Sequence, residues 1–427
     1  MRTATALAAI LLTLPAQAAD YAIVDTGQSR CYDASGPASC PPPGGRFFGQ
    51  DAQYTGAQPR YRDNGDGTVS DLVTGLMWEK GFRRGVSFAD APADAVRART
   101  GGHSDWRVPT TKELYSLIHF DGATGSAGPG TTGAPADARP YLDTRAFDFE
   151  YPAQGRFIDA QYVTATAYGG RVMNGQRAFF GVNFADGRIK GYPQDGGPAR
   201  RGWYARYVRG NPAYGRNDLV DNRDGTITDR ATGLTWTKAD SGRGLDWEGA
   251  LAWCEGLVLA GRSDWRLPNA KELHSIVDYS RSPDATGSAA IDPVFAIGEI
   301  HDDEGRRDWP FFWTSTSHLD GRRPGDFAVY IAFGRAQGHM RRGGGQGMGP
   351  PGMMGGGPRM GPPGMGPSGM GGPESVLGTT GMTLMDVHGA GAQRSSPKAG
   401  DESRLPKGAG PQGDVLRIYN YARCVRG

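Results

Sequence analysis

The sequence has little net charge, few cysteines and no long apolar run after its first residues. Its 427 residues hold 47 basic and 45 acidic side chains, so the formal net charge is only +2. A chain without a strong basic field gives no electrostatic reason to expect nucleic acid as a partner. A membrane-spanning helix needs about 20 apolar residues, and no segment after the N-terminus provides them. We therefore expect neither nucleic-acid binding nor a membrane span.

Histidine is equally sparse, and its spacing excludes the familiar catalytic and zinc motifs. The chain has seven histidines, and none stands in an HxH or HExxH pattern. The serines closest to His388 lie in no nucleophilic motif. We therefore predict no catalytic residue, no metal site and no enzyme activity.

The first 19 residues have the pattern of a secretory signal peptide. Arg2 supplies the positive charge, Ala6 to Leu14 form a short apolar stretch, and Ala16-Gln17-Ala18 fits the small-x-small cleavage pattern. This predicts an exported protein, either periplasmic or secreted to the cell surface. In that compartment the four cysteines are expected to pair.

The remaining chain contains two copies of a long sequence repeat. DNGDGTVSDLVTGLMWEKG begins at Asp63 and DNRDGTITDRATGLTWTKA at Asp221, and RYVRG and RCVRG close the two copies. A period this long indicates a duplicated domain rather than a solenoid. The predicted organisation is a signal peptide at 1–19, an N-terminal segment at 20–57, a first domain at 58–210, a linker at 211–216 and a second domain at 217–427.

Each repeat carries the signals of an α+β fold. A strand–turn–strand unit is followed by a helix, a DWRxP motif, a second helix, a long Gly/Pro/Asp-rich loop and returning strands. Thr110-x-x-Glu113 and Asn269-x-x-Glu272 form capping boxes that start the second helix of each copy. We predict a small, twisted, mostly antiparallel sheet with two helices and long loops in each repeat.

The cysteine positions predict two disulfide bonds. Cys31 and Cys40 close a short loop. When the repeats are aligned on DWR and on RxVRG, Ala95 stands opposite Cys254 and Tyr207 stands opposite Cys424. Because the second copy has both cysteines and the first has neither, we infer a Cys254–Cys424 bond. Metal ligation or a reactive thiol is the alternative.

Several residues that recur in both copies are interpreted as framework rather than as a site. A buried Trp with a nearby Asp–Arg pair that holds a turn would explain the DWR motif. A functional site is the alternative reading. The framework residues are Trp78, Trp236, Asp105, Trp106, Arg107, Asp264, Trp265 and Arg266.

The acidic turns DNGDGT and DNRDGT resemble calcium loops but do not fit the EF-hand pattern. When Gly67 or Gly225 is set at position 6, position 1 is Arg62 or Val220, where an oxygen ligand is required. We interpret these segments as hairpins with Asx turns. No cofactor is predicted, although calcium in another geometry stays open.

The second copy contains an insertion that the first lacks. Residues 343–373 are mostly Gly, Met and Pro, a composition typical of disorder. The following segment, up to Asp414, is more varied, and we predict that His388, Gln393 and Arg394 form a loop surface that binds an anionic ligand. Alternatively, this loop covers the last strand and its polar groups bond only to backbone.

The ordered motifs GLMW, DWRVPTTKEL, YVTAT, GR and RYVRG, and their counterparts in the second copy, resemble the Lcl C-terminal domain family. The resemblance implies a C-type lectin-like fold, a fold that also includes formylglycine-generating enzymes and in which a disulfide joins the first helix to the last strand. The founding member of the family binds sulfated glycans. The resemblance therefore implies an exported binding protein that recognises a glycan, a polyanion or a cell-surface protein. A structural module of the bacterial envelope is the alternative, and a divergent enzyme is a third.

Overall fold

The computed structural model describes residues 19–126, 130–195, 202–341 and 381–427. Almost all of the predicted signal peptide and the whole of the Gly/Met/Pro segment 343–373 lie outside these described residues. The elements before the second repeat are β1 (Cys31–Tyr32), β2 (Pro37–Ala38), β3 (Tyr61–Asp63), β4 (Thr68–Asp71), β5 (Leu76–Glu79), β6 (Arg83–Val86), α1 (Ala91–Arg97), α2 (Thr111–Tyr115), β7 (Gln161–Tyr162), β8 (Ala178–Asn183), β9 (Arg188–Pro193), β10 (Trp203–Ala205) and β11 (Val208–Gly210).

The second repeat also starts with hairpin strands that are followed by two helices and returning strands. It adds a short helix and two short strands before the returning strands, and further strands at its insertion. Its elements are β12 (Leu219–Asp221), β13 (Thr226–Asp229), β14 (Thr235–Thr237), α3 (Trp247–Glu255), α4 (Ala270–Ser275), α5 (Pro283–Thr286), β15 (Ile300–His301), β16 (Arg307–Asp308), β17 (Phe311–His318), β18 (Phe327–Ala332), β19 (Gln337–Arg341), β20 (Met382–Asp386), β21 (Gln393–Pro397) and β22 (Val425–Arg426).

Each repeat has its own four-stranded antiparallel sheet, with the orders β11-β5-β4-β3 and β12-β13-β14-β22. The acidic turns start these sheets as hairpins. Asp63 Oδ1 accepts the Gly65 N–H at 2.9 Å, and Asp66 Oδ1 accepts the Thr68 N–H at 3.0 Å. These are the Asx turns that the sequence predicts. The second oxygen of this carboxylate, Asp63 Oδ2, forms an ion pair with Lys80 Nζ at 2.6 Å.

A larger sheet corrects the prediction that the sheets are confined to single repeats. It has eight strands in the order β17-β18-β21-β9-β8-β7-β10-β6, so that strands from both repeats form one surface. The junction is antiparallel, with Gln393 of β21 opposite Ile189 of β9, and the Gly191 N–H donates to the His388 carbonyl at 2.7 Å. The fold is α+β and mostly sheet, as predicted, but its two halves share a sheet.

The insertion accounts for this junction. In the first repeat β8 turns directly into β9, and the two strands pair. In the second repeat the chain leaves β18 and forms β19, which pairs with β20. Strand β21 then returns to the place beside β18 that β9 holds beside β8. The second half of the insertion is therefore a structural part of the sheet.

The two predicted disulfide bonds are confirmed. Cys254 on α3 is bonded to Cys424, directly before β22, and Cys31 is bonded to Cys40. In the first repeat a hydrogen bond takes the place of the long-range disulfide. Tyr207 stands where the second repeat has Cys424, and its hydroxyl donates to Asp94 Oδ2 on α1 at 2.7 Å.

The tryptophans of the framework are buried as predicted: Trp78 and Trp236 are 0 % exposed, Trp106 2 % and Trp265 1 %. The charged residues of DWR do not pair with each other, however. Asp105 pairs with Arg209 of the last strand, and Asp264 likewise pairs with Arg426.

The arginine of each DWR motif instead reaches the glutamate of the following capping box. Arg107 donates two hydrogen bonds to Glu113, at 2.7 and 2.5 Å, and Arg266 donates two to Glu272, at 2.7 and 2.6 Å. The motif therefore joins three elements: the turn, the helix that follows and the closing strand.

A shared core and a shared sheet predict that the two repeats unfold together. The core cluster includes Trp78 and Leu114 of the first repeat with Trp236 and Leu273 of the second. Replacing Cys254 and Cys424 with alanine should lower the free energy of unfolding by roughly 2–5 kcal/mol and leave one cooperative transition. Urea unfolding followed by tryptophan fluorescence and by circular dichroism measures both properties.

The matched control is the Cys31→Ala/Cys40→Ala variant. Its disulfide spans only 9 residues against 170, so the chain-entropy effect should be smaller. Two separate transitions in the Cys254/Cys424 variant would contradict the shared core.

Candidate functional site

The two repeats meet through equivalent residues, related by an approximate two-fold axis between α2 and α4. Lys112 Nζ donates to the Ser275 carbonyl at 2.6 Å, and Lys271 Nζ donates to the Ser116 carbonyl at 2.8 Å. Tyr115 and His274, also equivalent in the repeats, face each other with ring centroids 4.5 Å apart. The helices that follow the two DWR motifs are thus held side by side.

Lys271 is buried and Lys112 is half-buried, and each takes a further acceptor from a segment outside its own repeat. Desolvation lowers the pKa of Lys112 to about 8 and that of Lys271 to about 7. Lys112 donates to the Gly215 carbonyl at 3.1 Å, whereas Lys271 donates to the Asp25 carbonyl at 2.9 Å. The linker therefore supplies a carbonyl acceptor to the lysine of the first repeat, and the N-terminal segment supplies one to the lysine of the second.

The N-terminal segment continues over the second repeat and fills a pocket beside α4. We call this the second-repeat pocket. It has a remaining volume of about 300 Å³ and is lined by framework residues Arg266, Asn269, Glu272 and Ser315 together with Asp51, Tyr54, Thr55 and Gly56 of the N-terminal segment.

We call residues 51–56, which enter this pocket, the plug. Asp51 is its most deeply buried residue. Its Oδ2 accepts hydrogen bonds from the Thr316 hydroxyl at 2.5 Å and from the Thr26 hydroxyl at 2.8 Å. The residue is 2 % exposed, and burial raises its pKa to about 7, against the effect of the two hydroxyl donors. Thr316 Oγ1 also accepts the Ala270 N–H at the start of α4, at 2.9 Å.

Tyr54 forms the outer part of the plug. Its ring centroid lies 5.3 Å from the guanidinium carbon of Arg266, a cation–π contact. Its hydroxyl donates to Glu255 Oε1 at 2.6 Å. The Arg266 side chain is consequently only 13 % exposed.

The equivalent place in the first repeat is an open cleft. We call it the first-repeat cleft; it has a volume of about 840 Å³. Its floor is formed by Arg107, Thr110, Glu113, Ala165 and Thr166, which occupy the positions of Arg266, Asn269, Glu272, Ser315 and Thr316. Its other walls are formed by linker residues between Pro212 and Arg216, the following Asn217, the segment Ile276 to Ser280 and Asp292.

Equivalent side chains are more exposed in the first-repeat cleft than in the second-repeat pocket, where the plug covers them. The Arg107 side chain is 38 % exposed, against 13 % for Arg266. Ala165 is exposed, whereas Ser315 is 1 % exposed. Thr166 Oγ1 accepts the Thr111 N–H at 3.0 Å, as Thr316 does for Ala270, but in the described part of the chain no carboxylate lies against it.

The structure corrects the prediction that His388, Gln393 and Arg394 form a surface of donors. They are 2 %, 0 % and 7 % exposed. His388 Nε2 lies 2.7 Å from Asp414 Oδ1, and Arg394 forms an ion pair with the other oxygen of the same carboxylate. Desolvation lowers the pKa of His388 well below its usual value. These side chains hold β21 in place rather than facing solvent.

The predicted hairpin, framework and capped-helix motifs recur in both halves of the fold, each with its own sheet and DWR anchor. The model of the Lcl C-terminal domain matches residues 67–209 and again 225–347, more than half of the chain. The chain belongs to the Lcl C-terminal domain family. It carries the family domain twice, as the resemblance implied. No curated protein and no solved structure matches the chain.

Two further properties concern only the described residues. Within 19–126, 130–195, 202–341 and 381–427, no group of three or more His, Cys, Asp or Glu side chains is arranged to hold a metal ion. In the same ranges no helix has the length and apolarity needed to cross a membrane.

Sequence reasoning missed the residues that distinguish the two sites. Asp51 and Tyr54 lie in a segment without a counterpart in the first repeat, so comparing the copies does not single them out. Thr166 and Thr316 were visible, since both stand in the matching strings YVTAT and FWTST. Their recurrence two residues after another threonine was the available signal.

Breaking the buried ion pair of β21 should destabilise the fold. Arg394→Ala leaves the Asp414 carboxylate buried without its cation, which should lower the free energy of unfolding by about 3–5 kcal/mol. Adding Asp414→Asn should recover part of this loss, because no unpaired charge then remains. Urea unfolding of the two single variants and the double variant measures the coupling; strictly additive losses would contradict a direct pair.

Asp51 should make stability depend on pH in a direction unusual for a carboxylate. Its folded pKa, about 7, lies above the unfolded value, so its contribution is fully present below about pH 4 and is lost as the pH rises to 7. The free energy of unfolding of the wild type, relative to Asp51→Asn, should therefore fall by about 2–4 kcal/mol between pH 4 and 8.

The control for this measurement is Asp90→Asn, which removes one carboxylate at an exposed position. Urea unfolding of the three proteins at several pH values gives the comparison. A difference between wild type and Asp51→Asn that does not change with pH would contradict the buried environment of Asp51.

Proposed function

We propose that this chain is an exported, non-enzymatic binding protein whose ligand occupies the first-repeat cleft. One observation carries the proposal: the chain's own N-terminal segment occupies the same place in the second repeat and leaves about 300 Å³ there, whereas no segment among the described residues occupies the first-repeat cleft. Its volume, about 840 Å³, lies in the range of roughly 300–1,000 Å³ typical of ligand sites.

A C-type lectin-like architecture is part of this proposal. The supporting feature is the Cys254–Cys424 bond, which joins the first helix of the second repeat to the residue before its last strand. The resemblance to the family implies this topology. In the first repeat the hydrogen bond from Tyr207 to Asp94 links the same two elements.

The cleft is favoured over the surface doublet Arg83-Arg84 as the place for a ligand. Arg83 pairs with Glu79 at 2.7 Å, and Arg84 pairs with Glu150. A doublet that is already neutralised has less to offer a sulfated glycan or other polyanion. Arg107 also has a carboxylate partner, but its guanidinium face is directed to a cleft that can exclude water from a ligand.

The pairing of all four cysteines supports the part of this proposal that concerns the absence of enzyme activity. A formylglycine-generating enzyme requires reactive thiols, and all four cysteines of this chain are in disulfides. The ligand would be a glycan, a polyanion or a surface protein, held without covalent chemistry.

The test is an array that carries sulfated oligosaccharides, carboxylated oligosaccharides and acidic peptides, probed with three forms of the full chain. Ala165→Trp places a large side chain in the cleft at an exposed position. Val96→Trp is the matched control, since Val96 is 64 % exposed on α1. At least one probe class should be retained by wild type and Val96→Trp and lost by Ala165→Trp.

Two outcomes would overturn the proposal. Probes retained equally by all three proteins would place the ligand elsewhere. A chain that retains no probe would favour a structural role in the envelope over ligand binding.

A further inference from the structure

We infer that the first-repeat cleft takes a peptide segment of a partner protein, one that presents an acidic side chain and, three residues later, an aromatic ring. The inference rests on the proposed function and specifies its ligand. Its template is the chain's own N-terminal segment, in which Asp51 and Tyr54 occupy the equivalent pocket of the second repeat.

The first step concerns the proton of a threonine hydroxyl. Thr166 and Thr316 each use Oγ1 to accept the N–H at the start of the helix, from Thr111 and from Ala270. A hydroxyl that accepts in this way still has one proton to donate. Thr316 donates it to Asp51 at 2.5 Å. Thr166 lines the cleft, where the same donor is available, so that a carboxylate is the complementary group.

The second step concerns the face of a fixed guanidinium. Glu113 holds Arg107 by two hydrogen bonds, as Glu272 holds Arg266, so both planes are oriented before any ligand binds. In the second repeat the ring of Tyr54 covers the Arg266 group at 5.3 Å. An aromatic ring is the favourable partner for such a face, and Arg107 is left 38 % exposed.

The third step concerns the spacing of the two ligand groups. Residues Asp51–Gln53 form a single 3₁₀ turn, which carries Asp51 and Tyr54 at its two ends. Gln53 Oε1 accepts the N–H groups of Gly49 and Gln50, at 3.0 and 3.2 Å, so the turn is closed by its own side chain. In the chain the turn is also held from outside, because Gln50 Oε1 accepts the Tyr32 N–H at 2.8 Å and Gln53 Nε2 donates to the Pro41 carbonyl at 2.8 Å. A peptide of residues 50–56 keeps the internal bond between Gln53 Oε1 and the Gln50 N–H.

The linker explains why no segment among the described residues fills the cleft as the N-terminal segment fills the second-repeat pocket. Its Gly215 carbonyl accepts from Lys112 at 3.1 Å, and Oδ1 of the following Asn217 accepts from the same amine at 2.9 Å, as the Asp25 carbonyl of the N-terminal segment accepts from Lys271. It then continues directly into β12 at Leu219. It has no counterpart of the stretch from Thr26 to Gly56, so within the described residues the position of the plug is open to a ligand.

The experiment uses a labelled synthetic peptide with the sequence of residues 50–56, QDAQYTG, and the full chain. Fluorescence anisotropy is measured up to about 1 mM protein, where a Kd of 1 mM corresponds to about −4 kcal/mol. The peptide should bind wild type and Val96→Trp alike, and Ala165→Trp should weaken binding at least about tenfold, or about 1.4 kcal/mol.

Peptide variants separate the two recognition groups. QNAQYTG lacks the carboxylate, and QDAQATG lacks the ring; each should bind several-fold more weakly than the parent. Equal binding of all three peptides would overturn the inference. Binding that Ala165→Trp does not change would also overturn it, because the peptide would then have entered the second-repeat pocket or another surface.

Failure of this inference is distinguishable from failure of the proposed function. If the peptide does not bind but an oligosaccharide on the array is lost by Ala165→Trp, the cleft is a binding site and its ligand is not a peptide of this kind. If neither probe binds, both proposals fall.

Discussion

A buried lysine amine must end on hydrogen-bond acceptors, and this requirement fixes how the two repeats sit together. Lys112 and Lys271 each donate to one carbonyl of the opposite repeat. Lys112 also donates to a carbonyl of the linker, and Lys271 to a carbonyl of the N-terminal segment. An amine taken out of water without these carbonyls would be costly. The two helices after the DWR motifs are therefore held side by side, and the position of the first-repeat cleft follows from that arrangement.

The duplication gives one framework two different uses. In both copies an arginine is held by a capping glutamate, and a threonine hydroxyl accepts the first helix N–H. In one copy the N-terminal segment completes the site and becomes part of the core. In the other copy no described segment covers the arginine, and the Arg107 side chain is 38 % exposed. A site that is structural in one repeat thus shows which chemistry the other is prepared to receive.

Local patterns and the comparison of the copies made much of this structure predictable. The capping boxes, the Asx hairpins and the buried tryptophans depend on neighbouring residues. The Cys254–Cys424 bond followed from what the first copy lacks. The plug could not be predicted, because Asp51 meets Thr316 across 265 residues of sequence. Strand β21 was read as a surface loop because Gln393 and Arg394 are polar. They are buried because their backbone pairs with neighbouring strands and Asp414 forms an ion pair with Arg394.

Strand β21 has a consequence for the first repeat as a unit. In the intact chain β9 lies between β8 and β21, and its backbone is paired on both sides. The strand that covers it comes about 200 residues later in the sequence. Without that strand, β9 would be the last strand of its sheet, with free N–H and C=O groups along one side, and such edges promote association between chains. When it is expressed alone, the first copy of the domain is therefore expected to associate through this edge. This holds although it has its own sheet, its own helices and a hydrogen bond in place of the disulfide.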